Sequence, residues 1–244
     1  MSGHSKWSTI KRKKEKTDQQ RAKIFTKMGR EISIAVRDGG PDPASNSKLK
    51  DLIAKAKANN VPNDNIDRII KKAAGGEDKN TYESINYEGY GPGGVAIIVR
   101  ALTDNRNRTA ADMRHYFDKY GAGLGTQGCV SFLFHEKGVI YLESEGVDED
   151  ALMECALEAG AADFLTEEEG YLVYTEPGDF SVVRDALEAA GYEMASAEVS
   201  MIPDNYVALG NEEAIQKMEK LLEMLDEHDD VDEVFHNWEA PDED

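Results

Sequence analysis

Between Gly138 and Met201 the sequence changes period in a fixed order, and that order restricts the fold more than any other feature. Short runs that read as strands cover Val139 to Glu143, Ala162 to Thr166, Tyr171 to Thr175 and Glu193 to Ser200. Two amphipathic helical stretches lie among them, Asp148 to Ala159 and Asp179 to Ala190, each closed by a glycine, Gly160 and Gly191. Ala156-Leu157-Glu158-Ala159 returns 30 residues later as Ala186-Leu187-Glu188-Ala189. Strand, helix, strand, strand, helix, strand is the split βαβ, ferredoxin-like order.

The flanks repeat it. Before the segment, Val95 to Leu102 and Cys129 to His135 read as strands around a helix from Thr109 to Tyr120, with a capping box of Thr109 and Asp112. After it come a strand at Tyr206 to Leu209, a helix at Asn211 to Leu225 and a strand at Val231 to Phe235. Joined, these give a second unit of the same order, with the first inserted at its midpoint. Gly76 to Tyr87 is polar and irregular and reads as the linker that precedes it.

The N-terminal region has a helical period throughout. Ala22, Phe25, Met28, Ile32 and Val36 line one face of a helix that stops at Asp38-Gly39-Gly40-Pro41. Leu49, Leu52, Ile53 and Ala56 do the same for Ser47 to Asn59, where Lys48, Lys50, Lys55 and Lys57 surround the other side. Pro62 starts a third helix through Ile66, Ile69, Ile70 and Ala73. The expected class is therefore α+β: an N-terminal three-helix bundle plus two ferredoxin-like α/β domains, one inserted in the other. The expected domains are a basic helical one at 1–76, a discontinuous α/β one at 77–136 and 203–244, and the inserted one at 137–202.

Charge divides along the same lines. Residues 1–75 hold 18 basic and 8 acidic side chains, a net +10, and residues 76–244 hold 10 and 40, a net −30. A basic end on an acidic protein attracts a polyanion while the rest is repelled, so only one end docks. The same charges could instead rest on the acidic body and cancel it. Candidate nucleic-acid contacts are Lys6, Trp7, Lys11, Arg12, Lys13, Lys14, Lys16, Arg21, Lys23, Lys27 and Arg30. Trp7 either stacks on a base or anchors the tail in the helical core. Arg106 and Arg108 stand ahead of the helix that carries Arg114, as a second basic group, and arginines at a helix start oppose its dipole. They meet an anion or pair with an acidic neighbouring surface.

Signatures of catalysis are missing. The sequence has no GxxxxGK[ST], HExxH or GxSxG and no Cys/His spacing that suits zinc, so no enzyme, cofactor or metal is expected. Gly123-Leu124-Gly125-Thr126-Gln127-Gly128 matches GxGxxG, but a helix precedes it and a strand follows, the reverse of the dinucleotide motif. Gly89 to Gly94 reads as a turn. Cys129 and Cys155 lack CxxC spacing and are expected to be reduced and half-buried. No apolar run of membrane-spanning length or secretory signal occurs, which points to the cytoplasm.

Several motifs together resemble the YebC/PmpR family: GHSKW, IKRKK and KIFTK, then GGPDPASNSKLKDLIAKAKANNVPNDNIDRIIKKA, GPGGVAIIV, LTDNRNRTAADMRHYF and LGTQGCVSFLF. The similarity runs from Gly3 to Trp238. Where many relatives have a His-Arg-Lys step, this chain has Lys11-Arg12-Lys13-Lys14-Glu15-Lys16, which keeps the charge. The resemblance implies three domains around a central cleft, a non-catalytic role linked to nucleic acid, and a cytoplasmic location for bacterial members. It implies a DNA-binding transcriptional regulator on promoter DNA. The alternative it offers is a ribosome-associated translation factor on rRNA, like the mitochondrial translational activator of cytochrome c oxidase subunit one. A small-molecule sensor is a third, weaker reading. No membrane partner is expected, and the chain is read as a monomer or weak dimer.

Overall fold

In a computed structural model, residues 18–76, 82–167 and 169–241 are described. They form two compact units: Phe134–Asp204 is one, and the remaining described residues make up the other.

The larger unit opens with three helices, α1 (Asp18–Gly39), α2 (Ser47–Ala58) and α3 (Asn63–Ala74). Met28, Ile32, Ala35 and Val36 of α1 pack with Leu49, Leu52 and Ala56 of α2 and Ile66 of α3, as their three- and four-residue spacing requires. Asn46 fixes the turn between α1 and α2. Its Oδ1 accepts from the Leu49 amide at 3.0 Å, and its Nδ2 donates to the carbonyls of Ala35 and Gly40, both at 2.8 Å. One buried side chain thus caps α2 and satisfies the end of α1.

The sheet of this unit comprises β1 (Glu83–Tyr90), β2 (Ala96–Thr103), β3 (Gly123–Leu124) and β9 (Val231–His236), in the antiparallel order β3-β1-β2-β9. Helices α4 (Arg106–Tyr120) and α7 (Glu212–Glu227) cover one face, where Met113, Phe117, Met218, Leu221 and Leu225 meet Ile97 and Val99. This is the split βαβ order with one exchange. The third strand comes from β1, ahead of the first strand in sequence, and Tyr206 to Leu209 does not supply it.

Three expectations are corrected here. The end of the supposed linker is β1; its part at 77–81 lies outside the described residues. Cys129 to His135 is a bend followed by the 3-10 turn Ser131–Leu133, and only its last two residues begin a strand. β8 (Val207–Ala208) pairs in parallel with β10 (Trp238–Glu239) as a separate two-stranded ribbon, held by the buried Trp238.

The smaller unit follows the expected order: β4 (Phe134–Glu143), α5 (Glu149–Glu158), β5 (Asp163–Thr166), β6 (Gly170–Thr175), α6 (Phe180–Ala189) and β7 (Ser196–Pro203). Its sheet order is β5-β6-β4-β7, antiparallel throughout. Ile140, Leu142, Tyr171 and Val173 meet Leu152, Ala156, Val183 and Leu187 from its two helices. Gly160 and Gly191, with φ of 104° and 90°, end those helices in a conformation open to glycine. Cys129, in the larger unit, and Cys155, in this one, are free and half-buried.

Glu88 holds the stretch after β3. Its carboxylate is buried and accepts from the amides of Gly128 (2.8 Å), Val130 (2.9 Å) and Ser131 (2.8 Å). Burial pushes this group up, but the three amides outweigh that and hold it below the ordinary carboxylate value. The GxGxxG run is therefore folded around an internal carboxylate. Of the expected turn at Gly89 to Gly94, Gly89 and Tyr90 end β1, and Gly91 to Gly94 form the β1–β2 turn, with φ of 65° at Gly93 and 83° at Gly94.

Candidate nucleic-acid interface

The helical periods of α1, α2 and α3 decide which cations face outward. Lys48, Lys57, Arg68 and Lys71 occupy off-stripe positions on α2 and α3 and are exposed, as are Lys50 and Lys72. None of these six was among the candidate contacts chosen from sequence. For those on α2 the signal in the sequence is the set of lysines around its apolar stripe.

Lys6, Trp7, Lys11, Arg12, Lys13, Lys14 and Lys16 lie outside the described residues. Arg21 falls in the first turn of α1. Lys23 and Arg30 point toward the acidic segment between α7 and β9. The Lys23 ammonium donates to the Glu227 carbonyl at 2.9 Å. The Arg30 guanidinium donates to the carbonyls of Asp229 (2.7 Å) and Leu102 (3.3 Å), lies 3.4 Å from Asp230 Oδ1, and sits over the Tyr82 ring at 5.0 Å. Lys27 lies near Asp232, where its charge lowers that carboxyl's proton affinity. On α2, Lys55 reaches Glu233 of β9 at 2.9 Å, and Arg100 of β2 holds the other oxygen of Glu233 at 2.8 Å. Part of the basic face thus neutralises acidic groups of the same unit.

Asp230 is the centre of this contact. Its Oδ2 accepts from Arg108 (2.7 Å), Thr109 (2.8 Å) and Thr103 (3.2 Å), and its side chain is 5% exposed. Burial pushes its pKa up, but the hydrogen bonds from Arg108 and Thr109 prevail and hold it below the ordinary value. The helix that carries these groups starts three residues earlier than its sequence indicates. Asn105 is the N-cap, accepting from the Arg108 amide at 3.1 Å, and Thr109 is a buried residue inside α4, which replaces the expected capping box. Arg108 also reaches Asp104 at 3.0 Å, so it pairs with acidic groups of its own unit. Arg106 and Arg114 are exposed on α4.

Next to Asp230 lies a pair of carboxyls, Glu31 of α1 and Asp232 of β9. Burial raises Glu31 to about 8 against the pull of Lys55, with Asp232 and Glu233 adding to the rise. Asp232 is raised as well, by burial and then by Glu233. Negative charge on Asp232 and Glu233 thus adds to burial in favouring the protonated form of Glu31.

Among the described residues, no cluster of His, Cys, Asp and Glu is arranged to hold a metal ion, and no helix is long and apolar enough to cross a membrane.

The comparisons with known proteins agree over nearly the whole length. Residues 82–238 match the family description "TACO1/YebC second and third domain", and residues 5–76 match "TACO1/YebC protein N-terminal domain". A "Probable transcriptional regulatory protein" of Acetivibrio thermocellus is 59% identical over 239 residues, 98% of this chain and 99% of that one. A protein of the same description from Ruminiclostridium cellulolyticum is 60% identical over 244 residues, 100% of this chain and 98% of its own. The crystal structure of a conserved hypothetical protein from Aquifex aeolicus superposes with a TM-score of 0.82 at 46% identity, covering 93% of this chain and 94% of that one. The chain belongs to the TACO1/YebC family.

Proposed function

We propose that this protein is a nucleic-acid-binding regulator, a DNA-binding transcriptional regulatory protein of the cytoplasm that acts through its basic N-terminal domain and not by catalysis. In this reading the domains are 1–76, then 77–136 with 203–244, and 137–202. The observation that carries it is the distribution of cations. Lys48, Lys57, Arg68 and Lys71 are exposed on two helices of the same region whose sequence holds the basic run at 6–16, in a chain of net charge −20. Relatives at 59% and 60% identity bear the name of probable transcriptional regulatory proteins, which supports the same role. Arg30 and Lys23 serve the contact with residues 227–230, so the phosphate-binding surface is assigned to the sequence run and to α2 and α3.

A gel-shift series with unrelated duplexes tests it. Salt-sensitive binding that prefers one promoter sequence, and that is lost when Lys11, Arg12, Lys13 and Lys14 are changed to alanine, is the expected result. Unchanged binding by that variant sinks the assignment of the N-terminal run.

A second reading, a ribosome-associated translation factor that binds rRNA, is favoured by the unit Phe134–Asp204. It holds 19 acidic and 2 basic residues, and one of those two, Arg184, is turned inward beside Asp185 and the Phe180 ring. A body this acidic is repelled by duplex DNA and suits the basic proteins of a ribosome. Sedimentation of lysate at low and high salt separates the readings, because a transcriptional regulator stays out of the ribosomal pellet at both.

A further inference from the structure

Tyr120 to His135 is a run of sixteen residues without a carboxylate, ammonium or guanidinium, in a chain that is 31% charged. The part after β3, residues 125–133, is tied down at several points. Beside the three amides held by Glu88, the Gly125 amide donates to the Glu88 carbonyl (2.8 Å), and the Tyr90 hydroxyl donates to the Cys129 carbonyl (3.0 Å). The Leu133 amide donates to the Val130 carbonyl (3.0 Å). Side chains alternate along it. Val130 and Phe134 are buried, and between them Phe132 is 66% exposed, the most open of the large apolar side chains described. A phenyl ring in water adds little to the stability of the fold, and burying a carboxylate is unfavourable unless it is fully bonded. A buried carboxylate that fixes the backbone beside an open aromatic ring is the construction expected of a preformed contact surface.

We propose that this loop is a second nucleic-acid contact, in which Phe132 stacks on an unpaired base. The proposal rests on the nucleic-acid reading above and adds a surface to it. Three properties select a base as the occupant. The ring offers a π face, to which any base can stack. The other exposed side chains of the loop are the hydroxyl of Thr126 and the amide of Gln127, groups that donate and accept at a base edge. No residue of the loop carries a carboxylate that would repel the phosphates on either side of that base, and Glu88 inside it is buried with its charge held by three amides. A base stacked in a duplex does not expose its face, so the target is single-stranded or looped nucleic acid.

The test uses the full-length protein and fluorescence anisotropy with a labelled mixed-sequence single strand, as RNA and as DNA, and with the duplex of the same sequence. Phe132→Ala weakens single-strand binding roughly tenfold or more, by the usual worth of one stacked base. Phe132→Trp restores it, Phe132→Leu does not, and the salt slope and duplex affinity stay as in the wild type. The thermal unfolding of Phe132→Ala matches the wild type, which keeps a binding loss from being a folding loss. Three outcomes overturn the proposal: full affinity in Phe132→Ala, equal affinity in Phe132→Leu, or wild-type binding to duplex alone. If in any of these the alanine variant at Lys11 to Lys14 still loses binding, the basic-domain reading stands and only the Phe132 contact falls.

Discussion

Glu88 places a charge inside a strand, where three backbone amides replace its water. A glutamine at this position keeps the shape but loses the charge on three hydrogen bonds and turns one amide donor toward other donors. Glu88→Gln is expected to destabilise the protein by about 3 kcal/mol, measured by urea unfolding at neutral pH. Its folded pKa lies below the ordinary 4.5, so its stabilisation is present above that value and lost as pH falls through the lower folded value. Wild type should lose stability in that acid range faster than Glu88→Gln. Glu31 has the opposite sign. With its folded value raised from 4.5 to about 8, the stability contributed by the protonated form is full below 4.5 and declines as pH rises through 8. Glu31→Gln should flatten the decline between those limits in unfolding curves taken across the range. Neither role was legible in the sequence, because neither a glutamate among the polar residues of β1 nor one beside the apolar stripe of α1 gives a sign of its own burial.

The contact between α1, α4 and β9 depends on Asp230. Asp230→Ala leaves Arg108, Arg30, Thr103 and Thr109 without their shared acceptor, and a loss of about 3–5 kcal/mol is expected in chemical denaturation. The three N-terminal helices and the whole smaller unit were legible at the level of elements, since their apolar spacing is regular and glycines end four of the helices. β1 was not. Ser84, Asn86, Glu88 and Gly89 are poor strand formers, and the reasons for them are tertiary. A Cβ at Gly89 would come within 2.6 Å of Phe117 Cε1, so the helix needs the bare backbone there. Cys129 to His135 failed in the other direction. Its β-branched and aromatic residues suit a strand, but the amides of Val130 and Ser131 bond to Glu88 and are not available to a neighbouring strand.

For the molecule as a whole, the charge split was legible from residue counts, but its use was not. Some cations of the basic region meet Glu227, Asp229, Asp230 and Glu233, and others remain on the surface of α2 and α3. Changing Lys48, Lys57 and Lys71 together to alanine should reduce the slope of log affinity for duplex DNA against log salt by roughly 2–3, with little effect on thermal unfolding. Changing Lys55 should do the reverse, because its partner is Glu233.

The sheet order β3-β1-β2-β9 also sets a timetable for synthesis. The smaller unit has its four strands once residue 203 has been made, whereas β2 waits for β9, whose His236 pairs with Ile97. Until then the growing chain carries an unpaired edge along β2, and Arg30 and Lys55 are without the Asp229 carbonyl and the Glu233 carboxylate that later hold them. The unit that begins first is therefore completed last, and the nascent protein is at its most basic and least closed while it is still attached to the machine that makes it.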